Sequence, residues 1–171
     1  MKNMNNQEKN TYVRQHILSA LLELMNTQDF DTISIQELTD NAGVGRASFY
    51  RNFKSKQDVL AQHLSDLLVE WGKDFEVKGD KDYFNESLFR HFYKHKNVYL
   101  LLYQQGLSNL IYDSIRQAFK FDESANNIER YVKSTFAGLI FGMVDEWMRQ
   151  GMQESPEELL FLIAQATPKP Q

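Results

Sequence analysis

Arg46, Ser48, Tyr50, Asn52 and Lys56 fall within eleven residues and supply a set of donors suited to nucleic acid. An arginine can bond a guanine edge through two parallel N–H groups, and an asparagine can do the same to adenine. Serine, tyrosine and lysine commonly bond phosphate oxygens. From Asn41 to Gln57 the chain carries Arg46, Arg51, Lys54 and Lys56 and no acidic residue, so a polyanion meets no repulsion there. No comparable set points to catalysis. The chain has no glycine-rich phosphate loop and no nucleophile elbow, and the absence of cysteine removes thiol chemistry and disulfides. His91 and His95 have the i, i+4 spacing of a two-histidine metal site but sit among Arg90, Lys94 and Lys96 without a third-ligand motif. A cationic, solvated helix face is the preferred reading there, with no metal and no cofactor expected.

These donors need a short helix held at a fixed angle, and the local sequence supplies it. Ser34 and Glu37 form an S-x-x-E capping box, which starts a helix carrying Gln36, Leu38 and Asp40. Gly43 gives the positive-φ position that ends that helix and turns the chain. Gly45 opens a second helix, on which Phe49 and Phe53 are four apart and face inward with Val44. Ser55 and Asp58 start a third. Two short helices across a tight turn are a helix-turn-helix, which places its second helix in the DNA major groove.

The run Ala42-Gly43-Val44-Gly45-Arg46-Ala47-Ser48-Phe49-Tyr50-Arg51-Asn52-Phe53-Lys54-Ser55-Lys56 resembles the DNA-binding motif of the tetracycline-repressor (TetR) family. Gly45 stands where that family usually has serine, and Ala47 where it usually has glycine; both are small enough to leave the backbone open to DNA. The resemblance implies a base-reading role for Arg46, phosphate contacts from Ser48, Tyr50 and Lys56, and a base or backbone contact from Asn52. It implies a base-reading position at Gln36 and core positions at Phe49 and Phe53. Gly45, Ala47 and Arg51 complete the expected DNA-binding set.

Composition agrees with such a reading. The chain has 171 residues, 42% of them hydrophobic and 13% aromatic, enough for a real core. Its net charge of −4 is uneven. Residues 1–60 balance Lys2, Lys9, Arg14, Arg46, Arg51, Lys54 and Lys56 against Glu8, Glu23, Asp29, Asp31, Glu37, Asp40 and Asp58, so the excess acid lies beyond Leu60. An acidic remainder disfavours binding DNA through the wrong face. The polar start MKNMNNQEKN has no secretory pattern, and the longest apolar run, FAGLIFGMV, is about half a membrane span. The expectation is a cytoplasmic protein without membrane contact.

The expected fold is all-α: an N-terminal three-helix DNA-binding domain with the helix-turn-helix (1–58), followed by a helical effector-binding and dimerisation domain (59–171). A first helix over about Thr11–Met25 braces the reader through Val13, Ile17, Leu21, Leu24 and Met25. The helix begun at Ser55 runs to about Trp71, before a polar break at VKGDKD. Further helices are expected near Tyr83–His95, Val98–Gln104, Leu107–Lys120 and Asn126–Gln150. Ser155-Pro156-Glu157-Glu158 then starts a last helix.

Two features of the second half bear on function. Ala137, Gly138 and Gly142 form a small-residue strip. With Met143, Trp147, Leu159, Leu162 and Ile163 it resembles the family's dimer interface, a bundle of two helices from each subunit; a neighbouring helix of the same chain is the alternative. Aromatic density over Phe89, Phe92, Tyr93, Tyr99, Tyr103, Tyr112, Phe119 and Phe136 fits either an effector pocket or an aromatic core. The resemblance implies a homodimeric repressor on a palindromic operator, released by a small-molecule effector and having no enzymatic activity. A co-activator governed by a protein partner, or a ligand carrier or enzyme that does not bind DNA, are the alternatives.

Overall fold

The computed structural model describes residues 6–78, 83–118 and 126–166, and among these all regular structure is helical. Nine α-helices are formed by the described residues: α1 (Asn6–Met25), α2 (Ile35–Asn41), α3 (Arg46–Asn52), α4 (Lys56–Lys78), α5 (Phe84–Lys94), α6 (Lys96–Gln104), α7 (Ser108–Ala118), α8 (Asn127–Arg149) and α9 (Pro156–Ala166). A 3-10 turn at Phe30–Thr32 precedes α2. The chain divides into two compact units, Met1–Leu64 and Ser65–Gln171. That division falls inside α4, later than the 58/59 boundary expected from the capping signal at Ser55.

In the first unit α1 packs against α2 and α3. Its core is Ile17, Leu21, Met25, Phe30, Ile33, Leu38, Phe49, Phe53, Val59, Leu60 and Leu64, all buried. Helix α1 starts five residues earlier than Thr11, at Asn6, because nothing in Asn6–Asn10 breaks a helix and Thr11 Oγ1 donates to the Gln7 carbonyl within it. In the second unit α5 packs on α9, and α8 packs on α6 and α7. Leu88, Phe89, Phe92, Tyr99, Leu102, Ile111, Val144 and Trp147 fill that core. Helix α4 continues past Trp71 to Lys78, since Trp71 stacks on Phe75 one turn on (5.7 Å) and both rings meet Phe84 edge-on.

Helix starts follow the sequence signals. Asn126 Oδ1 accepts the Glu129 N–H (2.9 Å) at α8. Ser155 and Glu158 exchange hydrogen bonds at α9, Glu158 N–H to Ser155 Oγ (3.2 Å) and Ser155 N–H to Glu158 Oε2 (2.8 Å). Three helices end in one way. A glycine with positive φ (Gly43, Gly106 or Gly151) follows the last turn. The N–H of the next residue then reaches back to a carbonyl five residues earlier: Val44 to Thr39, Leu107 to Leu102 and Met152 to Trp147, at 2.8–3.0 Å. Among the described residues no helix is long and apolar enough to cross a membrane.

Candidate nucleic-acid interface

The turn and its two helices are built as the sequence requires. Ser34 Oγ accepts the Glu37 N–H (3.0 Å), the first half of the capping box. The Glu37 carboxylate accepts a hydrogen bond from Gln28 Nε2 instead (2.7 Å), which ties α2 to the turn that follows α1. Gly43 (φ +63°) sends the chain back across, and Gly45 opens α3 without a side-chain cap. Phe49 and Phe53 pack 5.9 Å apart in the core, with the Arg14 guanidinium 5.4 Å above the Phe53 ring. The buried face of α3 is thereby locked, and its outer face is set by helical geometry.

That outer face carries Arg46, Ala47, Tyr50 and Arg51, all exposed, Tyr50 at 57%. Gly45 lies open beside them, with free space where a Cβ would stand. Ser48 and Asn52 are half-buried. Arg51 Nη2 donates to Ser48 Oγ (2.8 Å), and Asn52 Nδ2 donates to the Ser48 carbonyl (2.8 Å). The Asn52 amide is therefore used within the helix, and an adenine contact would require that bond to be released. Gln36 is exposed on α2, with its amide on both oxygens of Asp40 at 2.7 and 2.8 Å.

Lys56 differs from its expected place. Its ammonium is turned inward, donating to the Phe30 and Ile33 carbonyls at 2.5 Å each and lying 4.5 Å over the Phe30 ring. Partial burial pulls its pKa below the usual lysine range, and Asp31 and Glu37 nearby oppose that shift. Two of its three protons are spent on the protein. The spacing of Lys56 from the recognition helix was visible in sequence; the Phe30 carbonyl, which also accepts the Ile33 N–H, and the Ile33 carbonyl were not.

The residues expected to line an effector pocket divide into three groups. Phe89, Phe92 and Tyr99 are buried: Phe92 lies 4.8 Å from Tyr99, and Phe89 meets Trp147 edge-on at 5.9 Å. Tyr93, Tyr103 and Tyr112 are half-buried. Tyr93 stacks on Trp147, Tyr112 meets Phe141, and the Tyr103 hydroxyl donates to Asp145, which also pairs with Arg149. Phe136 belongs elsewhere: it is 54% exposed on the outer face of α8. Phe119 lies outside the described residues.

A cleft of about 380 Å³ does open between α4 and α5, lined by Trp71, Glu86, Arg90, His91 and His95 among others. His91 Nε2 is 3.2 Å from the Tyr99 hydroxyl. Burial, then His95 and Lys94, hold the His91 pKa down to about 3, so its ring is neutral at pH 7. Among the described residues no group of three potential ligands gathers around either histidine.

The small-residue strip is open only at its glycines, because Ala137 is buried in the core of its own unit. Gly138, Gly142 and Leu162 are exposed, and Met143, Leu159 and Ile163 are half-buried. Trp147 is corrected: it is buried inside its own unit, its indole N–H on the Glu154 carbonyl (3.2 Å). Sequence reading missed the larger part of the exposed apolar face of α8, since Ile128, Tyr131, Val132 and Leu139 are exposed on it too, as is Phe161 on α9. Their i, i+3, i+4 spacing was the available signal, but it does not say which apolar face a chain covers by itself.

The comparisons with known proteins agree with this geometry. Residues 17–62 match the model for bacterial regulatory proteins of the tetR family, and residues 81–168 match a transcriptional regulator C-terminal region. A helix-turn-helix-type transcriptional regulator of Bacillus subtilis, YvkB, is 25% identical over 70% of this chain and 60% of its own. The regulator AcrR of Shigella flexneri is 39% identical over 29% of this chain and 23% of its own. The chain thus spans three fifths or less of the curated relatives it matches. Lin0861 of Listeria innocua has the same fold, with a TM-score of 0.77 and 18% identity over 96% of this chain and 94% of its own. FadR of Thermus thermophilus, a TetR-family repressor in complex with lauroyl-CoA, superposes with a TM-score of 0.52 and 18% identity over 92% and 96%. With a helix-turn-helix at one end and a matching regulator body at the other, the chain belongs to the tetR family of DNA-binding transcriptional regulators.

Proposed function

We propose that this regulator is a homodimeric repressor that reads a palindromic operator through α3 and is released by a small effector held in its helical body. The carrying observation is the outer face of α3: Arg46, Tyr50 and Arg51 are exposed over a locked aromatic core, and no carboxylate lies between Asn41 and Gln57. Arg46 is the principal base reader, with Gln36 at the groove edge and Ser48 and Tyr50 on phosphates. A single seven-residue helix reads few base pairs, so a two-fold pair of readers on a palindrome doubles the contacts. The exposed apolar strip of α8 and α9 is the dimer surface, extending from Ile128 to Leu139 and on to Phe161 and Leu162.

Support for an effector comes from the cleft beside Trp71 and His91 and from the fold neighbour bound to lauroyl-CoA; the property carried over is ligand binding, not that ligand. Enzymatic activity has no support in the site, and the protein acts in the cytoplasm where its DNA is. Selection of bound fragments from a random DNA pool tests the reading. A palindromic consensus is expected, and Arg46→Ala should lose about 1–3 kcal/mol of discrimination at one position of each half-site. No enrichment at low salt, or an unchanged consensus in Arg46→Ala, refutes it.

A further inference from the structure

A second cleft lies in the first unit, between the N-terminal half of α1 and the C-terminal half of α3, with a volume of about 510 Å³. Lys9, Asn10, Tyr12 and the apolar Val13 line it from α1, and Ser48, Arg51 and Asn52 from α3. Two cations and four neutral hydrogen-bonding side chains meet there, and no carboxylate does, in a chain that has 23 acidic and 19 basic residues. The interior of the cleft is arranged for an acceptor-rich guest. Because Arg51 donates to Ser48 Oγ (2.8 Å), the Ser48 hydroxyl proton is free to point outward. Tyr12, half exposed, lines the same opening with its ring 3.9 Å from that of His16.

An ammonium, a guanidinium and several hydroxyl or amide donors around a carboxylate-free opening match a phosphate, whose oxygens accept and never donate when ionised. Three of the seven lining residues come from α3, so the cleft is continuous with the face that carries Arg46 and Tyr50.

We propose that the α1–α3 cleft anchors a stretch of DNA sugar–phosphate backbone, with Lys9 and Tyr12 as phosphate donors outside the helix-turn-helix. This rests on the DNA-binding reading above and extends the interface to a helix whose expected role was bracing alone. A phosphate could also come from a small free anion, and the two sources separate experimentally.

The test uses the full chain, its selected operator, and Lys9→Ala and Tyr12→Phe beside the wild type. Binding is measured across a salt series, and again with inorganic phosphate replacing chloride at matched ionic strength. Lys9→Ala should weaken binding several-fold, flatten the slope of log K against log [salt] by about 0.9, and leave the preferred bases unchanged. Tyr12→Phe should weaken binding with little change of slope, having lost a neutral donor. An unchanged affinity and slope in Lys9→Ala, with a wild type that selects DNA, overturns the proposal while leaving the α3 reading intact. Phosphate binding that depends on Lys9, with unaltered DNA binding, makes the cleft a small-anion site and also overturns it. A wild type that selects no DNA removes the α3 reading and this one together.

Discussion

Replacing Lys56 by methionine keeps the aliphatic stem and removes the ammonium, which isolates what that charge does. Two bonds from a cation to half-buried carbonyls are lost, each worth about 1.5–3 kcal/mol in comparable sites. The contact with the Phe30 face goes too, worth about 0.5–1 kcal/mol. Against this, the variant no longer desolvates an ammonium, the cause that lowers the Lys56 pKa. A net loss of about 2 kcal/mol is expected, which for a unit of this size is on the order of 10 °C in melting temperature. Urea and thermal unfolding report the stability, and a salt series on the operator reports phosphate contacts. The expected outcome is a destabilised protein whose salt slope, measured well below its melting point, equals that of the wild type. A variant of unchanged stability whose slope falls by about 0.9 would show the ammonium on DNA and refute its inward, structural role.

His91 gives a pH signature. Its pKa is depressed when folded, to about 3, so its contribution is complete above the unfolded value near 6.5 and is lost as pH falls through that window. Stability should decline by up to about 1.4 kcal/mol per pH unit in the acid range. His91→Phe should lack that slope in urea titrations at successive pH values; an equal slope in both proteins would contradict the assignment. At the outer face of α8, Leu139→Glu places a charge where the side chain is 57% exposed. It should leave the helical fold intact and convert the proposed dimer to a monomer in sedimentation velocity. A dimer that persists would move the interface elsewhere.

Local signals were legible because each rests on a few neighbouring residues. Ser34, Asn126 and Ser155 cap their helices through bonds to the residue three positions on, and Gly43 takes the positive φ its place in the turn demands. The inward set of α3 follows from spacing alone. What stayed hidden depends on parts of the chain far apart in sequence. Lys56 finds carbonyls 26 and 23 residues away. Trp147 and Phe136 lie on one helix, and periodicity separates their faces. Which face is covered from within depends on Phe89 and Tyr93, which sit over Trp147 and leave Phe136 bare. The helix expected to end at about Trp71 continues to Lys78, two residues into the expected VKGDKD break, whose remaining residues 79–82 lie outside the described residues.

The three glycines that close α2, α6 and α8 separate sensitivity to substitution from burial. A Cβ at Gly43, Gly106 or Gly151 would meet nothing within 4 Å, so no steric contact opposes alanine there. The cost is in the backbone, about 1–2 kcal/mol for holding an L-residue in the left-handed region. A library of single substitutions should therefore find three solvent-facing positions nearly as intolerant as the core, and asparagine the best accepted replacement. Variation at these points is limited by the direction the chain must take, so relatives with different surfaces can keep the same corners.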